Sequence, residues 1–154
     1  MKKILFVCLG NICRSAIAEG ILNAKIEKQK IDLIVDSAGT ANYHVGEAPD
    51  KRMQQKAIDH NLNISNQRGR QFSVNDFDEF DYIFAMDESN QNNILQLARN
   101  KVDKNKVMLF LSFNHPNKNL SVPDPYYGGE QGFEAVYQML NTACDEFIKT
   151  LKNE

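Results

Sequence analysis

Apolar residues follow two rhythms along this chain, unbroken runs and stripes at helical spacing, and the two alternate. Ile4 to Leu9 is continuously apolar, the pattern of a strand covered on both faces, and it predicts a first strand over residues 3–8. Ile17, Ile21, Leu22 and Ile26 then recur at helical spacing within residues 15–30. A second strand is expected over 33–37, ended by Ala38 and Gly39. A helix is expected over 49–61 with Met53, Ala57 and Ile58 inward. Residues 80–86 predict a third strand, after which Asp87 or Ser89 caps a helix, and residues 107–111 predict a fourth strand. The clearest stripe is the last: Phe133, Val136, Tyr137, Leu140, Cys144, Phe147 and Leu151 line one face of a helix over 131–151. Alternation of this kind predicts an α/β fold, a three-layer sandwich whose four-stranded parallel sheet carries helices on both faces. Ligands in such sheets bind beyond the carboxyl ends of the strands. Residues 112–130 have no periodic pattern and hold three prolines and two glycines. A structureless stretch of that length in a small domain marks a second place to look for function.

Composition narrows this picture. The 154 residues predict one domain over 1–154, large enough to bury a core without disulfide or metal. With 18 basic and 20 acidic side chains the formal net charge is −2, which argues against a nucleic-acid partner. No stretch approaches the roughly 18 apolar residues of a membrane span. Lys2 and Lys3 before the first apolar run imitate a secretory signal, but the run is too short and no small-residue cleavage site follows. The cysteines number three, and an odd count with Cys8 close to Cys13 suggests free thiols in a reducing compartment. A soluble, cytoplasmic protein is the expectation.

The first strand runs directly into Cys8-Leu9-Gly10-Asn11-Ile12-Cys13-Arg14-Ser15, and a helix follows. Strand, tight loop and helix N-terminus form an anion site, in which backbone N–H groups curl around a tetrahedral oxyanion and the helix dipole adds positive charge. Gly10 is expected to adopt a backbone angle that a side chain would resist. Arg14 places a planar fork on two phosphate oxygens, and Asn11 pins the loop through local hydrogen bonds. Cys8 would lie at the floor of this cradle, where comparable settings lower a cysteine pKa from ~8.5 to about 3.5–7.5. A thiolate facing phosphorus is a nucleophile. Taken alone, Cys8 would be a buried core residue; the arginine six positions on and the strand–loop–helix context favour the nucleophile. Ser15 is expected to cap the helix, a role compatible with a second one of stabilising the thiolate.

Residues 7–15 resemble the signature of the low-molecular-weight protein tyrosine phosphatases, with a cysteine, five residues, an arginine and a serine near the N-terminus. Asp124-Pro125-Tyr126-Tyr127-Gly128-Gly129, Ser37-Ala38-Gly39 and Met86-Asp87-Glu88-Ser89-Asn90 extend the resemblance over nearly the whole chain. The resemblance implies the phosphotyrosine phosphatase I-like fold and hydrolysis of phosphotyrosine or small aryl phosphates. Cys8, Arg14 and Asp124 would be the catalytic residues, with Asp124 as general acid and then base. Leu9, Gly10, Asn11, Ile12, Cys13 and Ser15 would bind phosphate, and Tyr43, Tyr126 and Tyr127 would grip the aromatic ring. No cofactor and no metal are expected. The partner would be a tyrosine-phosphorylated protein, and the enzyme a monomer whose loop tyrosines allow weak homodimerisation or serve as phosphorylation targets. The resemblance also implies that Cys13 guards Cys8 through a reversible disulfide, while Cys144 belongs to the core.

Two positions depart from the family pattern. Ala16 stands where a proline is usual, at small cost in rigidity. Gln67 stands where many members have a histidine; it retains the ability to hydrogen-bond Asn11 or a loop carbonyl but carries no charge. Beside it Arg70 is expected to form structural ion pairs and Arg68 to be a solvated charge. Rival readings are an arsenate reductase, for which the chain lacks a further cysteine pair, and a protein arginine phosphatase, whose small threonine is Ile12 here. A phosphocysteine carrier domain, which would have no use for Arg14 together with Asp124, and a phosphate-binding module complete the set.

Overall fold

The structure is a computed structural model that describes residues 1–115 and 117–153, Tyr127 by its backbone alone. In chain order it comprises β1 (Lys2–Cys8), α1 (Arg14–Gln29), β2 (Leu33–Gly39), α2 (Lys51–Asp59), α3 (Asp76–Glu79), β3 (Tyr82–Ala85), α4 (Glu88–Leu95), α5 (Lys101–Lys106), β4 (Val107–Leu109) and α6 (Gly129–Lys152). The strands form one parallel sheet in the order β2-β1-β3-β4, the α/β architecture expected from the alternation. From central β1 the chain crosses first to β2 on one side and later to β3 on the other. The carboxyl end of β1 is therefore a topological switch point, where open α/β sheets bind ligands.

Alternate residues of β1 serve opposite faces. Ile4, Phe6 and Cys8 join a core with α1, α2 and α6, while Leu5 and Val7 join Phe77, Ile83, Ile94 and Leu109 beneath α3 and α4. The α6 face carries an aromatic cluster: Phe84 lies 4.9 Å from Phe110 and 5.3 Å from Phe147 between ring centroids. Losing one such ring costs about 3–5 kcal/mol, a large share of a domain's roughly 5–15 kcal/mol. This cluster packs β3 against α6.

Several expected boundaries shift for physical reasons. β4 stops at Leu109 because its partner β3 ends at Ala85; residues 110–112 turn as a 3-10 helix that drops Phe110 into the core. β3 begins at Tyr82, since Phe80 terminates the short α3. The second helix spans only Lys51–Asp59, with Asp50 as its cap, and Ile58 is exposed, one position beyond the buried Met53–Lys56–Ala57 face. α3 and α5 are too short for a periodic signal. Asp87 caps α4, with Asn90 completing a capping box.

Candidate active site

The carbonyls of Cys8 and Leu9 accept hydrogen bonds from the Thr40 and Ala41 amides at 2.9 and 3.0 Å, so the loop after β1 is stitched to the chain leaving β2. Gly39 makes this possible: a Cβ there would lie 2.6 Å from the Leu9 carbonyl oxygen and 3.1 Å from the Asn11 nitrogen. The loop's left-handed turn occurs at Asn11, with φ 59°, and Gly10 is not among the residues with positive φ. This corrects the expected role of Gly10. Its missing side chain instead makes room for His44, whose Cδ2 would be 2.9 Å from a Cβ. Asn11 bears its strained backbone because its side chain is tied on three sides. Nδ2 donates to Ser15 Oγ at 2.8 Å and to Ser37 Oγ at 2.9 Å, and Oδ1 accepts from the Arg70 amide at 3.0 Å.

Ser15 is not a cap. It lies within α1, buried, with its Oγ 3.0 Å from Cys8 Sγ, while Cys13 occupies the cap position without a side-chain bond. The helix begins one residue earlier than expected, and this turns the hydroxyl toward the sulfur. Cys8 Sγ also accepts from the Asn11 amide at 3.3 Å. Arg14 is buried, and its Nη1 donates to Asp87 Oδ2 at 2.7 Å and to the Val122 carbonyl at 3.0 Å. Burial alone would lower the pKa of this guanidinium, but the Cys8 sulfur and Asp87 outweigh it and raise it. Burial pushes the Cys13 thiol well up, with Cys8, Asp50 and Asp124 adding to the effect.

A chain of hydrogen bonds runs back from the sulfur. Ser37 Oγ donates to Glu19 Oε1 at 2.6 Å, accepts from Asn11, and Asn11 in turn donates to Ser15. Asn11 Nδ2 can only donate, so it fixes both serine oxygens as acceptors, which leaves the Ser37 proton for Glu19 and the Ser15 proton free to face Cys8 Sγ. Burial pushes the Glu19 carboxyl up to about 7, against the pull of Ser37 and Arg70 and with Asp36 adding to the rise. A raised carboxyl pKa gives stability that is full below the ordinary carboxylate value and lost as pH rises through about 7. Melting curves of Glu19→Gln and the parent should therefore diverge by a few degrees in favour of the variant between about pH 5 and pH 8. A gap that is constant or shrinks with pH would contradict this.

Gln67 hydrogen-bonds neither Asn11 nor the loop. Its Nε2 donates to the Ala16 carbonyl at 3.0 Å, and the Asn11 side chain is already filled by Ser15, Ser37 and the Arg70 amide. Arg70 pairs with Asp36 and Asp76, as expected. Arg68 is exposed but not merely solvated, since its Nη1 caps the carbonyls of Ser65 and Gln67.

One cavity of about 280 Å³ gathers most of the candidate residues. Cys8, Leu9, Gly10, Ile12, Cys13 and Arg14 line it from the loop, and Tyr43, Asp124 and Tyr126 from its mouth. Asn11 and Ser15 support it from behind. Tyr127's side chain lies outside the described residues. Asp124 Oδ1 accepts from the Tyr126 amide at 3.0 Å, so it also starts the 3-10 turn at Pro125–Tyr127. His44, Asp50, Arg52 and Phe133 complete the walls. Of these, only Phe133 carried a sequence signal, and that signal was of core. Among the described residues no group of three His, Cys, Asp or Glu side chains is placed to hold a metal ion, and no helix is long and apolar enough to cross a membrane.

A family model described as low molecular weight phosphotyrosine protein phosphatase matches residues 3–154. The Homo sapiens protein of that name is 42% identical over 151 residues, covering 96% of this chain and 94% of that protein. Among solved structures, a protein tyrosine phosphatase from Entamoeba histolytica with Hepes in its active site superposes with a TM-score of 0.91 at 39% identity, covering 99% of this chain and 98% of that one. A Drosophila arginine phosphatase superposes with a TM-score of 0.88 at 38% identity, covering 99% of this chain and 98% of that one.

Proposed function

The chain belongs to the low molecular weight phosphotyrosine protein phosphatase family, a family of hydrolases, and from that premise we propose that it removes phosphate from protein phosphotyrosine, and from small aryl phosphates, through a phosphocysteine on Cys8. One observation carries this reading: Cys8, Arg14 and Asp124 line a single cavity together with the aromatic rings of Tyr43, Tyr126 and Phe133. In the first step Cys8 Sγ attacks phosphorus, the aryl oxygen departs, and Asp124 gives that oxygen its proton. In the second, Asp124 takes a proton from water as the water oxygen attacks phosphorus, and the sulfur leaves. Arg14 and the loop amides hold the equatorial oxygens throughout, so their contribution is electrostatic. Ser15, directed at the sulfur, stabilises it as attacking and leaving group.

The walls favour an aromatic ester. Tyr43 and Tyr126 stand at the mouth, exposed, where two flat faces bracket a ring. Ile12 places a branched side chain on the wall where a guanidinium would lose hydration without gaining a partner. Three unpaired cysteines suit action in a reducing compartment such as the cytoplasm. The test is phosphate release, with chelator present, from a phosphotyrosine peptide and a phosphoarginine peptide, and reduction of arsenate in parallel. The expected result is rapid release from phosphotyrosine alone, with a phosphorylated Cys8 peptide trapped by rapid quenching. Preference for phosphoarginine would assign the chain to the chemistry named for its Drosophila neighbour.

A further inference from the structure

Arg52 stands on the wall of the catalytic cavity with its Nε and Nη2 both held by a carboxylate. The Asp50 amide donates to the Ile12 carbonyl at 2.7 Å, which fastens the start of α2 to the phosphate loop. The Asp50 carboxylate then holds Arg52 by a two-pronged pair: Oδ1 accepts from Nε at 3.1 Å and Oδ2 from Nη2 at 2.9 Å. So fixed, the guanidinium carbon lies 4.8 Å from the centroid of the Phe133 ring and 5.1 Å from that of Tyr126. Tyr126 is two residues beyond Asp124, and its amide is the donor to Asp124 Oδ1. The other end of the segment is secured separately, by the Val122 amide on the Met86 carbonyl at 2.7 Å and by Arg14 on the Val122 carbonyl. Pro125, buried, carries its carbonyl to the Gly128 amide at 3.0 Å and keeps the turn closed.

We propose that Arg52 is a positioning residue which, by clamping the Tyr126 ring to the Asp50–Ile12 anchor, aims the Asp124 carboxyl at the leaving oxygen. The proposal rests on the reading of Asp124 as general acid. The two loops that must meet around phosphorus arise far apart in sequence, and the Arg52 side chain touches the anchorages of both. A lysine would not serve. Its ammonium is a point charge without the plane that matches a carboxylate on its edge and an aromatic ring on its face.

A misaimed acid has a signature that lost binding or lost stability does not share. Phenols that leave readily as anions need little protonation, whereas phenol and tyrosine need it fully. The experiment measures kcat/KM for a series of aryl phosphates of rising phenol pKa, with the parent, Arg52→Ala, Arg52→Lys and Asp124→Asn. Melting curves establish that each variant is folded. Arg52→Ala is expected to lose roughly 10-fold on phenyl phosphate and phosphotyrosine and little on the most acidic phenols, with KM nearly unchanged, and Arg52→Lys to restore only part of the loss. Should the alanine variant melt early, Arg52→Gln reads the same dependence. A loss equal across the series, or one confined to KM, would overturn the proposal and make Arg52 a wall of the binding cavity only. If Asp124→Asn itself shows no dependence on the leaving group, the reading of Asp124 fails first, whatever Arg52 does.

Discussion

Cys8→Ser is expected to hydrolyse neither phosphotyrosine nor 4-nitrophenyl phosphate above the solution background, a loss on the order of 10⁶-fold for removal of a covalent nucleophile, while still binding vanadate and melting with the parent. The substitution changes one atom. The donors that face the sulfur, the Asn11 amide and the Ser15 hydroxyl, meet an oxygen instead, so the loop has no reason to rearrange. What disappears is the intrinsically nucleophilic sulfur. A serine hydroxyl needs an adjacent base to become a nucleophile, and its neighbours Ser15, Asn11 and Arg14 supply none. Initial rates, anion titration and mass analysis of the quenched enzyme check the three parts of this statement. Turnover retained by the serine variant would remove Cys8 from the mechanism.

The second large effect is expected at Asp124. Asp124→Asn keeps an oxygen for the Tyr126 amide, and so keeps the turn, but it has no proton to give. Loss of general acid catalysis costs about 10²–10⁴-fold, concentrated on phosphotyrosine and phenyl phosphate. With an activated substrate the first step survives and the second does not, because no carboxylate remains to take the proton of the attacking water. Phosphocysteine should therefore accumulate, visible as a phosphorylated peptide containing Cys8 after rapid quenching. The pH profile should also lose the limb that reports a protonated acid. An asparagine variant that turns over normally and accumulates nothing would assign the acid elsewhere.

Much of this architecture was legible because its causes are local. An apolar run that is buried on both faces announces a strand wherever it ends up, and the loop from Cys8 to Arg14 joins that strand directly to a helix, as its sequence order requires. The last helix advertised its buried face through seven residues, from Phe133 to Leu151, whose roles do not depend on their partners. Other features depend on contacts that no local pattern carries. Ser15 was legible as a polar residue at a helix start, but its conversion from cap to sulfur ligand turns on where β1 places Cys8. Glu19 and Ser37 look like solvent-facing residues on a helix and a strand until β2 brings them beside Asn11. Arg52 pairs with Asp50 in its own turn, yet its partners Tyr126 and Phe133 come from the far end of the chain. Gln67 was readable as a hydrogen-bonding side chain, and only the packing of its loop against α1 determined that it would bond Ala16.

The ion pair between Arg14 and Asp87 has a consequence for how such an enzyme ends its work. A long side chain held by a carboxylate and a backbone carbonyl is already in place before any ligand arrives, so binding costs it little freedom. A receptor prepared in this way does not distinguish the phosphate on a substrate from the phosphate it has just released. On this mechanism the product acts as a brake. Turnover slows as inorganic phosphate accumulates, and the rate seen in a phosphate-rich medium reports the traffic of a small anion through the cradle as much as the chemistry performed there.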